Sequence, residues 1–161
     1  MNRILPETLA LIKAWEGFFP TPYVDTGGGL TIGYGHSSVG PPAVTPDSRW
    51  DEETASKQLE DDLVLVGTRI ARDLRVRVND YQWGALLSLA YNKGPTRLVK
   101  SRVWSTLHDG QKYASVRAGL EILSFANSAQ DKVTGEVREF LGLRARRAAE
   151  AGYFLKRHHG F

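Results

Sequence analysis

Four residues within one short stretch have types and spacing that suit bond-breaking chemistry: Glu16, Asp25, Thr31 and His36. Glu16 ends a run with helical periodicity, and Asp25 stands just before Gly27-Gly28-Gly29. Thr31 lies in the strand-like run after those glycines, and His36 stands at its end. Two carboxylates flanking a hairpin are the minimal kit for glycoside hydrolysis, in which one protonates the leaving oxygen and the other activates water or attacks the sugar. A separation of nine residues is weak evidence, because acidic residues fall that far apart by chance. Their settings say more. Glu16 sits between Trp15 and Gly17-Phe18-Phe19, an apolar environment of the kind that keeps an acid protonated, whereas Asp25 lies in a polar glycine turn that leaves it ionised. His36 has two readings, orienting a carboxylate or hydrogen bonding within the hairpin, and the structural one is favoured.

The elements that position these residues follow from pattern. Leu5, Leu9, Ile12 and Trp15 recur at spacings of four, three and three, with Pro6 suited to a first helical position, so 6–16 reads as an amphipathic helix that Gly17 ends. From Phe18 to His36, aromatic and β-branched residues broken by Pro and Gly predict a hairpin of two short strands, and 37–50 is a Pro/Gly/Ser loop. Asp51 offers an N-cap to a long helix carrying Leu59, Leu63, Val66, Ile70 and Leu74. Beyond Asp80 every element reads as helical: Tyr81 to Asn92, apolar on most sides and closed by Gly94-Pro95, then 100–108, 111–125 and 142–156. The expected fold class is α+β, mostly α. It consists of one domain over 1–161, with a β-containing lobe at about 17–50, a long connecting helix and a helical lobe at about 80–161 that includes the N-terminal helix. A cleft between the lobes is the expected binding place.

The run from Glu16-Gly17 through Asp25 to Thr31-Ile32-Gly33-Tyr34-Gly35-His36 resembles the E-x8-D-x5-T signature of the phage lysozyme or endolysin family of glycoside hydrolases. Ala90-Tyr91-Asn92-Lys93-Gly94 is also similar to that family, as is Gly142-Leu143 with Arg146-Arg147 and Glu150, which follows its G-L-x-x-R-R-x-x-E pattern. The resemblance implies a lysozyme-like fold and a muramidase that cleaves the β-1,4 bond between N-acetylmuramic acid and N-acetylglucosamine with inversion and no cofactor. It makes Glu16 the general acid, Asp25 the carboxylate that activates or positions water, and Thr31 the hydroxyl that helps hold that water. It also pairs the acid with a C-terminal arginine, Arg144 first and Arg147 second. Tyr91, Asn92 and His36 are carried as substrate contacts. The alternative, a non-catalytic peptidoglycan-binding module on the same fold, is disfavoured because Glu16, Asp25 and Thr31 are all present.

Composition sets the outer bounds. The chain has 161 residues, 21 Lys+Arg against 18 Asp+Glu and no cysteine, which excludes disulfides, thiolate catalysis and cysteine-ligated metals. Residues 1–96 carry 9 basic against 12 acidic side chains, net −3, and residues 97–161 carry 12 against 6, net +6, so a polyanionic partner fits the second part. Arg69, Arg72, Arg75 and Arg77 are placed mainly on one side of the long helix. With Arg144, Arg146 and Arg147 they read as solvated or ion-paired, and no nucleic-acid motif accompanies them. Asp25-Thr26-Gly27 spells an aspartic-protease triplet, but only one copy exists, in a mostly helical chain. His158 and His159 have no metal-ligand spacing, and no metal is expected. No apolar run reaches the ~18 residues of a membrane span, and no signal peptide is read at the start. The expectation is therefore a monomer acting on peptidoglycan glycan strands without membrane insertion. It would be made in the host bacterial cytoplasm and reach the wall after a factor such as a holin opens the membrane.

Overall fold

A computed structural model describes residues 2–25, 27–37, 40–125, 128–130, 137–139 and 141–156. His158 and His159 lie outside them. The chain divides into two compact units, one of residues 9–65 and one of residues 1–8 with 66–161.

The first unit holds most of α1 (Pro6–Glu16) and, after it, β1 (Phe19–Val24), β2 (Leu30–Gly33), β3 (His36–Ser37) and the first part of α2 (Glu52–Ala71). The strands form one antiparallel sheet in the order β1-β2-β3, with Tyr23 opposite Thr31 and Ile32 opposite His36. His36 therefore opens a third strand instead of ending the second. Gly33 makes the reversal with φ +66°, and a Cβ there would stand 3.0 Å from both Ala55 and the Trp50 ring, so glycine serves both turn and packing. Asp51 caps α2 as expected, its Oδ1 accepting the Thr54 amide at 2.8 Å. The helix stops at Ala71, short of Leu74, because the Asp73 and Leu74 amides bond three residues back, to Ile70 and Ala71. Of the four arginines placed on this helix only Arg69 lies on it; Arg72, Arg75 and Arg77 follow its end.

The second unit is built around α3 (Asp80–Lys93), on which Trp83 to Ala90 are all buried. Asn79 and Gln82 form a reciprocal capping box at its start, and Gly94 closes it through a 2.8 Å bond to Ala90 O. Short helices α4 (Pro95–Val99), α5 (Arg102–Leu107) and α6 (Ala114–Glu121) follow, then a 3-10 turn at Ile122–Ser124 and the final helix α7 (Leu141–Phe154), which packs on α3. At Gly84 an added Cβ would lie 2.3 Å from Thr8 Oγ1 and 2.9 Å from the Tyr153 ring, so three segments meet where only glycine fits. One expectation fails here. The body is not helical throughout: β4 (Ser128–Gln130) and β5 (Val137–Glu139) pair antiparallel between the 3-10 turn and α7. The architecture is mostly helical with a small three-stranded antiparallel sheet.

Candidate active site

Asp25 leaves β1 into the glycine turn, and that turn is tied to its own carboxylate. The Asp25 amide donates to Gly29 O at 2.9 Å and the Gly28 amide to Asp25 O at 3.0 Å. The Gly27 and Gly29 amides then donate to Oδ1 at 2.7 and 3.0 Å, while the Thr31 hydroxyl donates to Oδ2 at 3.2 Å. Glycine at these positions lets the backbone curl round the carboxylate with its amides pointing inward. The Gly29 and Gly27 amides hold the Asp25 carboxyl below the usual carboxylate range, slight burial opposes them, and the Thr31 hydroxyl adds to the lowering. Asp25 is thus an ionised carboxylate at any pH near neutrality. Thr31 itself is buried on β2.

Glu16 is the last residue of α1 and is partly buried, with Oε1 sealed from solvent. Tyr23 lies in the field of both acids: burial raises its phenol above the ordinary value, and the negative charges of Glu16 and Asp25 raise it further. Glu16, Asp25, Thr31 and Tyr23 all belong to the unit of residues 9–65.

His36 has both ring nitrogens engaged by other partners. It is buried, with Nδ1 2.9 Å from Asp62 Oδ2 on α2 and Nε2 3.0 Å from Pro42 O. Both partners are acceptors, a geometry that favours a proton on each ring nitrogen. Burial works against that charge, but the Asp62 hydrogen bond and the Pro42 carbonyl outweigh it and raise the His36 pKa. Gln58 Nε2 also donates to Asp62, at 2.9 Å, so the group joins sheet, loop and helix.

The other expected site residues belong to the second unit. Tyr91 and Asn92 stand on the last turn of α3, partly buried, and the Asn92 amide oxygen accepts from Arg147 Nη2. Arg147 also donates through Nη1 to Glu150, which accepts from Arg146 Nε at 3.0 Å and from Ser88 Oγ at 2.6 Å. Arg147 and Glu150 are completely buried. Sequence reasoning placed Glu150 in a motif without giving it a partner, since Ser88 lies 62 residues away. Arg144 is exposed on α7. Burial, followed by the charges of Arg147, Arg97 and Arg146, depresses the neighbouring Lys93 below its ordinary value. Among the described residues no group of three or more His, Cys, Asp and Glu could hold a metal ion.

A small antiparallel sheet bearing an amide-clasped aspartate, joined to a mostly helical body, places the molecule in the lysozyme-like class. Residues 13–150 match the family model for phage lysozyme. The chain is 30% identical over 149 residues to an endolysin of Acyrthosiphon pisum secondary endosymbiont phage 1, covering 91% of this chain and 93% of that protein. It is 36% identical to an endolysin of Bacillus phage B103 over 90% of its own length but spans only 51% of that relative. Among solved structures, a mutant of P22 lysozyme aligns with a TM-score of 0.78 and 27% identity, over 97% of this chain and 100% of the other. The muramidase domain of SpmX from Asticaccaulis excentricus shares the fold, with a TM-score of 0.83 at 24% identity over 98% and 100% of the two chains. This chain belongs to the phage lysozyme family.

Proposed function

We propose that Glu16, Asp25 and Thr31 perform the peptidoglycan hydrolysis that goes with membership of this family, the chain acting as one catalytic domain. The bond cut is the β-1,4 link between N-acetylmuramic acid and N-acetylglucosamine. Glu16 donates a proton to the leaving glycosidic oxygen, and a water held at Asp25 attacks the anomeric carbon from the opposite face. The observation that carries this reading is how the oxygens of Asp25 are used. Oδ1 is occupied by two glycine amides, so Oδ2 is the oxygen able to accept the water proton. Thr31 spends its own hydrogen on that Oδ2, which leaves the hydroxyl lone pairs to accept a hydrogen bond from the same water. The lowered pKa of Asp25 keeps the carboxylate ionised before the step, ready to take the water proton as the water attacks. Arg147 is committed to Glu150 and Asn92.

Glu16→Gln should abolish the fall in turbidity of a peptidoglycan suspension while the protein still sediments with purified walls; an active variant would refute the assignment. Mass spectrometry of the fragments released by the parent protein should show reducing-end muramic acid. An anhydro product would mean a lytic transglycosylase, and a cut peptide would exclude both. Among the described residues no helix is long and apolar enough to cross a membrane. The reading includes access to the wall after another factor, such as a holin, has opened the membrane. Lysis on expression without any holin would contradict that.

A further inference from the structure

Phe19 and Tyr23 have no part in the scheme above, yet each adjoins a segment that carries it. The Phe19 ring lies against Gly17, directly after Glu16, 3.6 Å from where a Cβ at Gly17 would be. Tyr23 faces Thr31 across the β1–β2 pair, and cross-strand partners project from the same side of a sheet. The two rings touch, with centroids 4.6 Å apart and planes inclined at 46°, so they form a shallow angled cradle running from the Glu16 end to the Asp25 and Thr31 end. Phe19 is 42% exposed, so much of its ring is open to solvent. The register shifts between Phe19 and Tyr23, which is what brings two residues four apart on one strand into ring contact. The Tyr23 hydroxyl makes no hydrogen bond to another described residue and remains protonated beside two acids, so it is a donor with capacity to spare.

We propose that Phe19 and Tyr23 form a saccharide platform, the apolar face of one N-acetylated sugar lying on the rings and the Tyr23 hydroxyl donating to it. An exposed aromatic face with a polar tip matches a pyranose ring, which is apolar on its C–H faces and polar at its edge. The occupant is a sugar of the glycan because Tyr23 stands opposite Thr31 and Phe19 lies against Gly17, each beside a residue assigned to the bond to be cut. Tyr23 is a positioning residue. The proposal rests on the assignment of Glu16 and Asp25 above.

Its test separates the two. In the Glu16→Gln background, where nothing turns over, sedimentation with purified peptidoglycan should be weakened roughly tenfold by Phe19→Ala and restored by Phe19→Trp. In the active protein Phe19→Ala should raise KM for the wall by a similar factor with kcat within about twofold, and Tyr23→Phe should lower kcat/KM by roughly two- to tenfold, the worth of one hydrogen bond, without moving Tm. Unchanged wall binding and unchanged KM in Phe19→Ala overturn the platform even if Glu16→Gln is dead. Loss of binding in Phe19→Ala that Phe19→Trp fails to restore also overturns it. Persistent activity in Glu16→Gln, with the binding loss intact, overturns the catalytic assignment and leaves the platform standing as a wall-binding site.

Discussion

Asp25 and Glu150 are both carboxylates gripped by several donors, and they show two opposite uses of the same chemical group. Asp25 is held by neutral backbone amides and one hydroxyl, at the edge of a three-stranded sheet, with part of its surface open. Glu150 is completely buried and is met by two arginines and a serine. Amides stabilise a negative charge without cancelling it, so the carboxylate at the turn keeps its field and an oxygen for a substrate. Guanidinium groups cancel the charge and occupy both oxygens, so the carboxylate in the helical unit is a structural joint. Under the proposed assignment, donor type separates the reactive acid from the structural one more clearly than the number of bonds does.

The comparison can be broken in four places. Asp25→Asn should leave Tm close to the parent value and cut wall hydrolysis by about 100- to 10,000-fold, the usual worth of a positioned base, measured by turbidity and by released reducing ends. A comparable loss of stability instead would mean that the turn, too, is structural. Glu150→Gln should do the reverse: about 3–5 kcal/mol less stable to urea, because two buried arginines lose their counter-charge. The protein that remains folded below the transition should hydrolyse walls at near-parent specific activity.

Thr31→Val tests the finer point. Removing the hydroxyl removes one of the bonds that lower the Asp25 pKa, so that pKa rises toward its ordinary value and the acid limb of the pH–activity profile moves to higher pH. A several-fold fall in kcat at neutral pH should accompany it. The smallest effect is expected at His36. Its folded pKa is raised, so the stability it contributes is fully present below the unfolded value of about 6.5 and is lost as the pH rises through the folded one. The urea midpoint of the parent should therefore fall between pH 5.5 and 8.5, and His36→Gln should narrow that difference. An equal fall in both proteins would show that His36 stays neutral in the fold.

Local signals carried far in this chain. Pro6 and Gly17 bracket α1, Asp51 starts α2, and the apolar run at 83–90 forms the buried middle of α3. The lowered pKa of Asp25 and its bond to Thr31 come from residues within six positions, which is why a glycine-rich turn could be read as an ionising one. What escaped reading depends on distant partners. The Asp62 that claims His36 is 26 residues on, and the Arg147 that claims Asn92 is 55 residues on. The strands β4 and β5 are three residues each, too short to set up an alternating pattern against a helical background. The pair Gly94-Pro95 closes α3 as read, and Pro95 is also the first residue of α4, which the stop signal hides.

The bond between Thr8 and Tyr153 spans 145 residues, and in the order of synthesis that separation is a delay. A ribosome moving at ~5–20 residues per second needs about 7–30 s to bring the second partner out after the first. Through that interval Gly84 waits with half of its socket missing. A chain released early, a few turns short of Tyr153, can already carry every atom of the Asp25 turn and still lack the closure of the helical unit. Closure of the helical unit is thereby coupled to synthesis through Tyr153, and a messenger cut before that point yields a protein with the acids in its sequence and an unfinished helical unit.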